Sequence, residues 1–128
     1  MSYVLFSCYG DREASKAAKI LADEGITVII TGDGTEAMNV IAEKNEVPLV
    51  IFAHLVMPEM DGSELTATFR QEYPTAKTKI LLETVKSSGC GPVRYWNANV
   101  EGYIMRPYSA DQLVLSVEQL LFRNVTAL

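Results

Sequence analysis

Six side chains in this chain could do chemistry: Cys8, Tyr9, His54, Glu83, Thr84 and Arg106. A thiol beside an imidazole is the start of a nucleophilic pair, in which histidine takes the thiol proton. Cys8 with His54 would then make a small hydrolase or a thiol redox sensor. The sequence offers no third residue to orient the imidazole and no oxyanion hole. Free cysteines are mostly buried, inert packing, so Cys8 is read as an unactivated thiol and the chain as a non-enzyme. A Zn²⁺ ion on Cys8 and His54 falls short of the three or four ligands required, so no metal site is expected.

The elements that must position these residues show in the apolar pattern. Short runs rich in β-branched or aromatic residues read as strands at Val4 to Cys8, Thr27 to Thr31, Leu49 to His54, Lys79 to Thr84 and Gly102 to Arg106. Between them lie helical patterns. Asp11 to Glu24 buries Ala14, Ala17, Ala18 and Leu21, and Gly25 stops it. A helix opened by Asp33 and Glu36 buries Ala37, Val40 and Ile41, and Ser63 to Tyr73 packs Leu65 and Phe69. A helix after the Ser109 and Gln112 pair turns Leu113, Val117, Leu120 and Leu121 inward. Pro92 to about Asn99 reads as a short helix carrying Val93, Tyr95 and Trp96.

Five alternations of strand and helix imply an α/β domain, a parallel sheet covered on both faces with right-handed crossovers. Sites in such sheets lie at the carboxyl ends of the strands, where Cys8, Tyr9, His54, Thr84 and Arg106 fall. By strand alternation, Glu83 is expected to point away from the Thr84 pocket. With 128 residues, 48% hydrophobic and 21% charged, the chain reads as one domain over 1–128, without a disordered tail. Its net charge of −5 excludes a nucleic-acid surface. No run reaches the length of a membrane span and no signal peptide is evident, so the reading is cytoplasmic.

Met57-Pro58-Glu59-Met60-Asp61-Gly62, with Arg106-Pro107-Tyr108 later, resembles the receiver domain of two-component response regulators. The resemblance runs from Tyr3 to about Leu121 and implies a flavodoxin-like fold with strand order 2-1-3-4-5. It places the phosphoacceptor position at His54, the two acidic Mg²⁺ positions at Cys8 and Tyr9, and the conserved Lys position at Arg106. Only the switch positions, Thr84 and Tyr103, match in type. A thiol, a phenol and an imidazole give Mg²⁺ none of the carboxylate oxygens it wants, and phosphoryl transfer depends on that neutralisation. The expectation is a pseudo-receiver of bacterial phosphorelay type, with no cofactor and no phosphorylation at the usual site.

His54 is then either a phosphoacceptor or pH sensor, or an uncharged, hydrogen-bonded residue filling the vacated pocket. With Arg106 aimed at the same pocket, like charge opposes its protonation, and the second reading is adopted. The expected partner is a protein: a histidine kinase, a regulator or a second copy. The face carrying Tyr95, Tyr103 and Tyr108, with Arg94 and Arg123 at its rim, is the expected homodimer contact.

Overall fold

Apolar runs and caps place the elements. The computed structural model describes residues 2–85 and 100–126. In order these form β1 (Val4–Ser7), α1 (Arg12–Asp23), β2 (Val28–Thr31), α2 (Gly34–Lys44) and β3 (Val50–Ala53). Then come α3 (Gly62–Glu72), β4 (Lys79–Val85), β5 (Gly102–Arg106) and α4 (Ala110–Thr126). The strands pair in parallel in the order β2-β1-β3-β4-β5, as expected. The Pro92 to Asn99 helix, with Arg94, Tyr95 and Trp96, lies outside the described residues, as does Cys90. No described helix is long and apolar enough to cross a membrane.

Each side of the sheet has its own core. Val4, Phe6, Phe52, Leu81 and Ile104 meet Ala14 and Ala18 of α1 and Leu113 and Val117 of α4. Leu5, Ile51, Ile80 and Leu82 meet Ala37 and Ile41 of α2 and Leu65 and Phe69 of α3 on the opposite face.

Acidic caps fix where the helices start. The Asp33 side chain accepts from the Glu36 amide at 2.8 Å, while the Glu36 carboxylate reaches the Gly32 amide rather than that of Asp33. Asp61 and Glu64 close a full capping box, and Ser109 with Gln112 makes the reciprocal pair expected of it. Gly62 sets the site most directly. A Cβ there would overlap the His54 carbonyl and the Leu82 side chain, so only glycine lets α3 begin this close to the end of β3.

Candidate functional site

Alternation along the strands decides what meets at their carboxyl ends. Phe52, Leu81 and Ile104 face α1 and α4, so two residues further on His54, Glu83 and Arg106 turn to that same side. Register pairs Ala53 with Leu82, which sets His54 level with Glu83. Two further side chains join from loops: Asp11, the N-cap of α1, and Tyr108, just before α4.

His54 is 3% exposed and both ring nitrogens are engaged. Nδ1 faces the Tyr9 amide at 3.3 Å and accepts from it. Nε2 therefore carries the ring proton of the neutral imidazole and donates to Asp11 Oδ2 at 2.7 Å. Asp11 serves the helix as well, since its Oδ1 accepts from the Ala14 amide at 3.1 Å. The Tyr108 hydroxyl lies 2.5 Å from Asp11 Oδ2 and 3.0 Å from Glu83 Oε2. Its single proton serves one carboxylate at a time. Glu83 Oε2 also accepts from Arg106, at 2.9 Å from Nε and 2.7 Å from Nη2. Phe52 backs the cluster, its ring edge-on to His54 and to Tyr108.

Burial raises the Asp11 carboxyl, but the bonds from Tyr108, His54 and the Ala14 amide outweigh it and hold the group below its ordinary value. Burial, with the Asp11 bond and the Glu83 charge, drives the Tyr108 phenol well up. The Glu83 bond raises the Arg106 guanidinium. Burial, then the Asp11 and Glu83 charges, push the Cys8 thiol up to about 12.

The sequence-predicted residues divide. His54 and Arg106 meet, through Glu83. Cys8 is buried in the core beside them. Tyr9 departs from its expected place in the pocket: its ring is 65% exposed, and only its backbone amide touches His54. Glu83 was expected to point away from the site and instead sits inside it, 3% exposed. Alternation does put Glu83 and Thr84 on opposite faces. The error lay in placing the pocket on the Thr84 face, where the Leu82 core lies.

Tyr108, expected on an outward contact face, is buried with its hydroxyl committed to two carboxylates, which removes it from any exposed contact. Tyr103 stays partly exposed. Sequence reasoning thus put none of Asp11, Glu83 and Tyr108 in the site, although it singled out Glu83 as a carboxylate and Tyr108 as a contact residue. A lone carboxylate in an apolar strand, level with the only histidine, was the legible signal for Glu83.

Asp11, His54 and Glu83 each offer a ligand atom, and the three lie within 4.8 Å of one another. A cleft of about 420 Å³, lined in part by Tyr9, Arg12, Arg106 and Tyr108, opens beside them.

The model of the response regulator receiver domain matches residues 12–118, starting just after Cys8 and Tyr9. A probable transcriptional regulator, ycf29, of Porphyra purpurea is 31% identical over 125 residues, covering 97% of this chain and 59% of the relative. The DNA-binding response regulator MtrA of Mycolicibacterium paratuberculosis is 28% identical over 105 residues, covering 82% of this chain and 44% of that one. The chain thus spans about half the length of these relatives. In fold it is similar to the receiver domain of the Francisella response regulator 1452, with a TM-score of 0.78 at 22% identity, covering 97% of this chain and 99% of that one. The receiver domain of a histidine kinase from Syntrophus aciditrophicus gives 0.81 at 23% identity, covering 94% and 90%.

Proposed function

We propose that this chain, which belongs to the response regulator receiver domain family, signals by protein contact without phosphorylation at the family's usual site. The observation that carries this is His54. It stands at the phosphoacceptor-equivalent position, buried, with Nε2 given to Asp11 and Nδ1 to the Tyr9 amide. Attack on a phosphoryl group needs a free lone pair aimed at solvent, and neither ring nitrogen offers one.

The family's Mg²⁺ does not fit these residues. Mg²⁺ takes octahedral oxygen coordination and keeps several waters. Here the aligned positions give a buried thiol and an outward phenol, and the Asp11 and Glu83 oxygens are already engaged by His54, Tyr108 and Arg106.

In place of a metal, Arg106, His54 and Tyr108 hydrogen-bond the two carboxylates and tie the loops after β1 and β5 together. Such a domain is held in one state. It suits constitutive docking to a histidine kinase, a regulator or a second copy. The alternative, a hydrolase or redox sensor on Cys8 and His54, is not favoured. A thiol titrating near 12 supplies almost no thiolate at neutral pH.

The test is incubation with acetyl phosphate and Mg²⁺, read by intact mass and peptide mapping. No phosphoryl adduct in the pocket is expected. An adduct on His54 or a neighbouring site residue would overturn the reading.

A further inference from the structure

We infer that the groove between β5 and α4 docks an amphipathic helix of another protein, one that lays apolar residues into the groove and sets a lysine or arginine against Glu118. The inference rests on the reading that this domain works by protein contact, and it names the chemistry of the partner. The groove encloses about 620 Å³ and lies beside the first residues of β5, away from the carboxyl-end cluster. Gly102 leaves its strand wall without a side chain, so the buried Leu81 and Leu120 form the floor.

Leu115 and Phe122 stand on the helix side, 56% and 51% exposed. With Gln119 between them they follow i, i+4, i+7 spacing and share one face of α4. A solvent-facing helical stripe is ordinarily polar. Two large apolar side chains left this open beside a groove mark a contact surface. A partner helix suits it, because its own side chains at i, i+3, i+4 and i+7 enter such a groove together.

Charge selects the partner. Of the acidic residues lining the groove, Glu101 is already neutralised by Arg70. Glu118, one turn before Phe122, instead hydrogen-bonds the Glu24 carboxyl at the end of α1. Two carboxyls make such a bond only by holding a proton between them. Among the described residues no lysine or arginine pairs with either one. A cationic side chain from a partner would replace that proton with a charge-assisted bond. A second copy set on the groove about a two-fold axis would bring the same carboxylates, in a chain of net charge −5. Like charges oppose that contact, so the favoured occupant is a basic helix of a different protein.

Selection from a displayed library of helices of about 18 residues tests this, with leucine or serine on one face and lysine or glutamate at its borders. The whole chain is the bait, and fluorescence anisotropy then measures the selected peptides. Leucine at i, i+3, i+4 and i+7 with lysine at the border is expected, and binding should weaken as salt is added. Leu115→Asp and Phe122→Asp should each weaken it by about tenfold or more, as loss of a central apolar anchor does. Glu118→Lys should weaken it by about tenfold and turn the selection toward glutamate-bordered helices. Unchanged urea midpoints would show that these surface variants keep the fold. No enriched helix, glutamate-bordered helices selected by the wild type, or binding indifferent to all three substitutions would overturn the inference. So would a dimer in sedimentation that dissociates on Leu115→Asp, since a second copy would then fill the groove. None of these outcomes bears on the acetyl phosphate test, where an adduct in the pocket overturns the broader reading whatever the peptides do.

Discussion

Asp11 Oδ2 and His54 Nε2 lie 2.7 Å apart while the other oxygen of the same carboxylate caps α1. One residue thus couples the start of a helix to the end of the central strand. Substitution separates the two roles. Asp11→Asn keeps an acceptor for the Ala14 amide, whereas Asp11→Ala loses the cap and leaves the buried imidazole N–H without its acceptor. Asp11→Ala should cost about 2–4 kcal/mol, combining a cap of about 1 with an unsatisfied buried donor of about 1–3. Asp11→Asn should cost clearly less. Urea unfolding of the two variants measures the difference, and equal losses would mean that the cap contributes nothing and the bond to His54 carries the effect.

Tyr108→Phe isolates the hydroxyl. The ring keeps its edge-on contact with Phe52, and the loss is the bond to Asp11 or Glu83. A destabilisation of about 1–3 kcal/mol is expected, because a buried carboxylate is left one donor short. Chemical denaturation reads it. A neutral result would show that water or Arg106 replaces the phenol without cost.

Arg106 and Glu83 are unequally buried, at 50% and 4% exposed. Removing the arginine side chain strands a buried charge. Arg106→Ala should therefore destabilise by about 1–3 kcal/mol, below the range for a fully buried pair because solvent already screens half of the guanidinium. In the Glu83→Gln background the same change should cost distinctly less. A double-mutant cycle by urea unfolding gives the coupling, and a value of zero would show the ion pair to be incidental.

Much of this was legible in the sequence because periodicity is local. Apolar runs and Gly25 marked the strands and the end of α1, and five alternations were enough for a parallel sheet. The receiver-like Met-Pro and Arg-Pro-Tyr segments fixed the strand order. The cluster was less legible, since it depends on which face of the sheet holds the pocket. That face follows from level pairing between strands, which places Glu83 beside His54, and from loop paths that carry Asp11 and Tyr108 inward. No pattern within a single element encodes either. Asp11 was assigned to the start of a helix rather than to the pocket because its capping role is local and its contact with His54 spans 43 positions.

Gly62→Ala tests the close approach under the site. The added methyl would meet the His54 carbonyl and Leu82. Backbone cannot yield as a side chain can, so a loss of about 1–3 kcal/mol or more is expected. Thermal unfolding checks it, and an unchanged midpoint would show that α3 slides outward freely.

Cys8 gives the pH-dependent prediction. Its thiol is raised to about 12 by burial, then by Asp11 and Glu83, against about 8.5 in an unfolded chain. The folded state therefore favours the protonated thiol. That preference stabilises the fold fully below about 8.5 and is lost progressively as pH rises from there through 12. Alkylation by iodoacetamide follows the same sign. At pH 8–9 the folded protein should modify Cys8 far more slowly than the urea-unfolded chain, with the rate climbing only at strongly alkaline pH. Mapping of the alkylated peptide distinguishes Cys8 from Cys90. A Cys8 rate in the native protein that plateaus near neutrality, and falls on His54→Ala, would instead identify an imidazole-activated thiolate. Because His54 already spends Nε2 on Asp11 and Nδ1 on the Tyr9 amide, the slow, base-dependent profile is the expected outcome.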